Sequence, residues 1–245
     1  MNNNVKFLKR LQYLIPKHIK PKFDNDEDLL AWNQEQGRLS SEAILRNNKI
    51  IKIQRTLGKS GIRELYINCS FENYRIEHEG HKKVARAAKK YAEEFNKSIA
   101  SFIFSGKPGT GKNHLASAIG NYLILSGKSV LIVTVADLMS NMKGTFNGNS
   151  DITEATLLNN LSSVDLLMID EIGVQIESRY EKVIINQIVD RRSSSKRSTG
   201  MLSNLDYRGL KLLLGERVID RMRLGNSLWL TFEWESYRRN IKGNE

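Results

Sequence analysis

The sequence predicts an α/β domain built on a five-stranded parallel sheet, preceded by a small all-α module. Three observations carry that reading. Beyond residue 65, short apolar runs alternate with longer amphipathic stretches, the pattern of a sheet covered by helices. Ahead of it, apolar residues recur at helical spacing instead. A glycine-rich segment also lies between an apolar run and an amphipathic one, where a strand passes into a helix.

In the module, Val5, Leu8, Leu11, Tyr13 and Leu14 recur near helical spacing until Pro16 stops the first helix. Asp24 and Asp26 offer cap oxygens to a second helix, which holds Leu29, Leu30 and Trp32. A third helical stretch covers residues 40–55, and the run Gly58-Lys59-Ser60-Gly61 reads as a hinge or linker. The boundary falls near residue 65, giving a module of residues 1–65 and a domain of residues 66–245. In the domain the predicted strands are 99–105, 129–135, 164–169, 199–203 and 227–232. The predicted helices are 81–95, 113–126, 152–161, 179–191 and 205–222.

A chain of 245 residues fits one domain plus a smaller module and excludes a multidomain machine. Hydrophobic residues at 40% and charged residues at 27% exclude disorder throughout. The single cysteine, Cys69, excludes an intramolecular disulfide and a multi-cysteine metal cage. Residues 1–10 carry lysines but no apolar run of signal-peptide length, and no apolar run is long enough to span a membrane, so the expected location is the cytoplasm. The net charge of +11 favours an anionic partner, nucleotide or nucleic acid.

Gly106-Lys107-Pro108-Gly109-Thr110-Gly111-Lys112-Asn113 follows a predicted strand and opens a predicted helix, the context a phosphate-binding loop requires. Its glycines let successive N–H groups face one anion, and Lys112 supplies a cation for the outer phosphates of ATP. Asn113 stands where a hydroxyl residue normally meets Mg²⁺; its carboxamide oxygen can face the metal directly or through water. The apolar strand ending Asp170-Glu171 comes next. Asp170 is placed to hold Mg²⁺ and Glu171 to polarise the attacking water, with alternation pointing the two to opposite sides. Asn204, at the end of another predicted strand, reads either as a water- or phosphate-orienting amide or as a turn residue. Arg217, Arg221 and Arg223 lie on or just past a helix end, where a guanidinium either reaches a neighbouring subunit's γ-phosphate or pairs with Glu216 or Asp220.

With these residues in hand, the chain resembles the bacterial DnaC-type replicative helicase loaders, members of the AAA+ ATPases, essentially end to end. The most specific segments are 102–115 (FIFSGKPGTGKNHL), which includes His114, 169–175 (IDEIGVQ) and 215–227 (GERVIDRMRLGNS). The resemblance implies an N-terminal module that grips the hexameric replicative helicase. It also implies an ATPase domain that self-associates around that helicase and binds single-stranded DNA. By matched position Lys112 resembles the Walker A lysine, Asp170 and Glu171 the Walker B pair, Asn204 sensor 1, Arg221 the arginine finger and Arg238 sensor 2. Few residues follow the fifth strand, so the helical lid usual in that superfamily is reduced. Phe71 lies in the segment resembling the adenine side and reads as either a stacking or a core aromatic.

Initiator-type relatives insert a helix after the second strand. Residues 136–146 are placed to be part of it, with Lys143 and Phe146, joined by Ser178 and Tyr180, as the DNA path. For the helicase, the candidate apolar anchors are Leu11, Leu29, Trp32 and Leu45, some of which the small module needs as its own core. Two rivals remain. A transposition-type helper ATPase shares the motifs but differs in the N-terminal region, and a metabolite kinase is opposed by the Asp170-Glu171 pair and by Asn204.

Overall fold

A computed structural model describes residues 26–56, 66–97, 99–146, 153–174 and 178–237. The chain divides into two compact units, Met1–Leu45 and Arg46–Glu245. Helix α1, Asp26–Thr56, runs through that division as 31 continuous residues, where the sequence suggested two separate stretches. Gly37 does not break it, because Arg38 bridges to Glu35 one turn back and to Glu42 one turn on. Leu29, Trp32 and Leu45 are exposed on this helix, at 40, 39 and 68%. Leu11 lies outside the described residues.

The second unit contains a five-stranded, fully parallel sheet: β1 Phe102–Gly106, β2 Val130–Thr134, β3 Leu166–Ile172, β4 Ser198–Ser203 and β5 Leu228–Phe232, in the order β2-β3-β4-β1-β5. The helices are α2 Glu79–Glu94, α3 Lys112–Leu125, α4 Val135–Gly144, α5 Glu154–Ser163, α6 Arg179–Ser194, α7 Tyr207–Leu214 and α8 Glu216–Met222. All five strands fall where the sequence puts them, with ends shifted by a few residues. Ahead of β1, Ala100 makes only an isolated antiparallel bridge to Gly225, so the ladder begins later than expected.

Burial on both faces explains why these strands read as continuous apolar runs. Phe102, Phe104, Leu166 and Met168 pack with α2 and α3 on one side. Ile103, Leu167, Ile169 and Met201 pack with α4 to α8 on the other. The expected single helix over 205–222 is two, because Gly215 takes φ +84° and serves as the end of α7 and the start of α8.

At the edge of the sheet where its strands begin, fully buried Arg192 of α6 braces several chain segments. Its guanidinium donates to the carbonyls of Leu161 (2.8 Å), Val164 (3.0 Å), Asp165 (3.2 Å) and Ser198, and to Thr199 Oγ1 (3.1 Å). Burial pulls its pKa down to about 9, with Arg197 adding to the fall and Asp165 opposing it. Among the described residues no helix is long and apolar enough to cross a membrane.

Candidate nucleotide-binding site

The site forms where β1, β4 and β3 end, because β4 separates the strand that precedes the glycine loop from the strand that carries the carboxylates. A cleft of about 840 Å³ opens there, and Lys112, Asn113, Asp170, Glu171 and Asn204 all line it. Residues from three separate strand ends therefore meet at one place, as the phosphate-loop reading requires.

Local geometry explains the glycines. At Gly106 φ is +120°, and a Cβ would lie 2.2 Å from the Phe232 carbonyl oxygen of the paired strand β5. Backbone cannot yield as a side chain could, so the turn out of β1 needs glycine. Gly111 at φ +93° begins α3 without a side-chain cap, leaving the helix's first N–H groups facing the cleft. Lys112 is buried at 5% exposure; its Nζ donates to the carbonyls of Gly106 at 2.7 Å and Lys107 at 2.6 Å. Thr110 Oγ1 donates to the Lys107 carbonyl at 2.7 Å, closing the loop.

Across the cleft Asp170 is 8% exposed; its Oδ2 accepts from Asn113 Nδ2 at 2.5 Å and its Oδ1 from the Glu171 amide at 2.7 Å. The expectation that Asp170 and Glu171 point to opposite sides fails. Glu171 takes φ +62° and the β3–β4 register shifts between Ile169 and Ile172, so both carboxylates reach the same cleft. A left-handed glutamate is costly, and such outliers concentrate where a side chain must be aimed.

The opposite wall is aromatic, and sequence reasoning missed it. Tyr74, His78, His81, Trp234 and Tyr237 line the cleft from segments before β1 and after β5. His78 and His81 stack at 3.9 Å between ring centroids, with Trp234 edge-on to His81 at 4.5 Å. Burial lowers the His81 pKa, with His78 adding to it, so its Nδ1 stays an acceptor for the Glu77 amide. The strand-five tail clasps the glycine loop: Trp234 Nε1 donates to the Thr110 carbonyl and the Tyr237 amide to the Gly109 carbonyl. Arg75 donates to Tyr237 Oη at 2.9 Å. His114, on α3, holds the preceding loop through the Ser70 carbonyl and Asn73 Oδ1.

Other expected site residues lie elsewhere. Phe71 does not line the cleft; it packs against Tyr122 at 6.2 Å, and Tyr74 takes the place on the wall. Lys107 is exposed, with its ammonium near Glu235. Arg221 is also outside the cleft, paired together with Arg217 to Asp190 of α6, and not to Glu216 or Asp220. Lys143 and Phe146 stand exposed at the end of α4, with Phe146 6.2 Å from the Tyr180 ring. Ser178 caps α6 in a reciprocal capping box with Glu181. Arg238 lies outside the described residues.

Residues 36–243 match the model of the IstB-like ATP binding proteins. Over all 245 residues, and the full length of each relative, the chain is 83% identical to the replicative helicase loader DnaC of Buchnera aphidicola subsp. Baizongia pistaciae and 63% identical to that of Escherichia coli K12. The chain belongs to the DnaC family of replicative helicase loaders. Those DnaC relatives match residues 1–35 as well, ahead of the ATP-binding model, which is the region that separates a loader from a transposition-type helper.

Solved structures agree on the fold. A crystal structure of a DnaC helicase loader superposes with a TM-score of 0.60 at 22% identity, covering 69% of this chain and 99% of that one. DnaA from Aquifex aeolicus bound to AMPPCP superposes at 0.58 and 22% identity, over 71% of this chain and 55% of that one. The fold is the α/β fold those structures share, and the matched family is one of ATP-binding proteins. The cleft's own residues fit such a ligand: the buried Tyr74 hydroxyl on its wall has no hydrogen-bond partner among the described residues, and the start of α3 offers uncapped amides.

Proposed function

We propose that this chain loads a hexameric replicative DNA helicase onto single-stranded DNA at origins or forks, with ATP binding and hydrolysis timing loading and release. One observation carries the reading: relatives named as replicative helicase loaders match the chain from end to end, while its nucleotide cleft assembles the acidic pair, the lysine and the amide.

Lys112 exchanges its two loop carbonyls for the outer phosphates, which makes nucleotide the group that frees the loop. Asn113 and Asp170, hydrogen-bonded to each other, would hold Mg²⁺ and its waters. When bound, Mg²⁺ neutralises charge on the phosphates. Glu171 accepts the proton of the attacking water, and Asn204 orients that water from β4. Arg221 lies outside its own cleft and serves a neighbour's γ-phosphate, so hydrolysis requires self-association through the ATPase domain. Arg238 contributes the second sensor.

Lys143 and Phe146 meet single-stranded DNA, the ammonium on phosphate and the ring on a base, with the Tyr180 ring next to Phe146 and Ser178 adding a hydroxyl to the same path. Leu29, Trp32 and Leu45, exposed on α1, together with Leu11, anchor the helicase. Size-exclusion chromatography with the cognate replicative helicase, with and without ATP, tests the reading. Co-migration is the expected result, and separate elution under both conditions contradicts it.

A further inference from the structure

Helix α2 carries a strongly basic outer face that the nucleotide cleft does not use. Its buried side, Val84, Ala88, Tyr91 and Ala92, packs into the core, while Lys82, Lys83, Arg86, Lys89 and Lys90 are exposed. Lys82 pairs with Glu79 at 3.3 Å and Lys89 with Glu72 at 3.5 Å. Lys83, Arg86 and Lys90 stand three and four residues apart, so they form one row along the helix. Lys83 and Arg86 have no carboxylate partner among the described residues, and Lys90 lies within the field of Glu94. The row borders a shallow groove of about 540 Å³ floored by Gly80 and Ala87, with Glu79 the one carboxylate on its rim.

From this row we infer a second nucleic-acid contact, a docking surface for the phosphate backbone of duplex DNA. The seven-residue span is about 10 Å at roughly 1.5 Å per residue. That length lets the row contact more than one phosphate of a strand at once. The choice of duplex over single strand rests on what the face lacks. Single-strand sites pair cations with aromatic platforms for the bases, whereas both ring side chains of α2, His81 and Tyr91, are buried, Tyr91 with its hydroxyl on the Ala100 carbonyl. A rigid row of cations beside a small-residue floor holds a backbone and reads no base. Unlike Lys143 and Phe146, it offers nothing to stack on. The surface is independent of the loading reading, since it stands whether or not the chain binds a helicase.

The test uses the full chain and fluorescence anisotropy with a labelled 20-base-pair duplex, the corresponding single strand and polyglutamate. Lys83→Gln/Arg86→Gln/Lys90→Gln keeps good helix formers on an exposed face, so folding is retained. A control, Lys97→Gln/Lys196→Gln/Arg208→Gln, removes the same charge elsewhere. The triple α2 variant is expected to lose about tenfold or more in duplex affinity, with the log–log salt slope shallower by about 2 to 3. Single-strand affinity and the control's duplex affinity are expected to stay within about twofold. The inference is overturned by wild-type chain that ignores duplex, by unchanged duplex affinity in the α2 variant, by equal loss in the control or on single strand, or by polyglutamate binding as tightly as duplex.

Discussion

Asn113 Nδ2 donates to Asp170 Oδ2 at 2.5 Å, joining the first turn of α3 to the end of β3 across the floor of the cleft. Two residues 57 positions apart in sequence are thus held in direct contact. The pair replaces the hydroxyl-and-carboxylate arrangement usual in phosphate loops, with the amide donating to the carboxylate that would share the cation with it. Asp170→Asn removes the charge while keeping the shape. ATP affinity measured in Mg²⁺ is expected to fall about tenfold or more, while affinity in EDTA changes little. Equal affinities for variant and wild type in Mg²⁺ would remove Asp170 from the cation site.

Glu171 reaches the cleft by a left-handed backbone, and glutamine can occupy the same position without a basic oxygen. Glu171→Gln is expected to bind ATP normally and hydrolyse it about 10² to 10⁴ times more slowly. Single-turnover phosphate release in the presence of helicase checks this, and wild-type release by the variant would place the general base elsewhere.

At the far end of α4, Phe146 is 63% exposed yet faces the Tyr180 ring. Removing it with its neighbouring cation, as Lys143→Ala/Phe146→Ala, is expected to cost about 1–3 kcal/mol of single-strand affinity from stacking alone. Duplex affinity, which depends on α2, is expected to be unaffected. A single-strand titration that superposes on wild type would dismiss the α4 path.

Arg192 supplies a stability prediction independent of ligand. Arg192→Met keeps apolar bulk but strands the carbonyls of Leu161, Val164, Asp165 and Ser198 in a dry interior. Each orphaned acceptor costs about 1–3 kcal/mol, so the urea midpoint should drop by a shift equivalent to about 3 kcal/mol or more. An unchanged midpoint would mean that water replaces the guanidinium.

These residues also show where sequence reading stops. The strand, glycine loop and helix around Lys112 were legible because the chemistry is contiguous and each residue type has a backbone reason to be there. Asp170 was legible because a doubly buried strand ending in carboxylates is unusual. The aromatic wall was not: Tyr74 and Trp234 come from loops and His81 from the first turn of α2, their meeting depends on β5 pairing with β1, and nothing in their own spacing encodes it. Phe71 and Tyr74 are three residues apart in one loop, and only the packing of Phe71 on Tyr122 decides which ring faces the cleft. Period-two alternation misplaced Glu171 because a register shift and a positive φ override it. For Arg221 the local carboxylates Glu216 and Asp220 were the visible partners, whereas tertiary packing delivers Asp190 from α6.

In the function proposed, the turn from β1 into α3 grips the outer phosphates of ATP through Lys112. Titration of the full chain with a fluorescent ATP analogue, wild type against Lys112→Ala, tests it most directly. Saturable binding by wild type and a loss of at least about tenfold in the variant, equivalent to about 1.4 kcal/mol, are the expected result. Identical binding curves for the two proteins would contradict it.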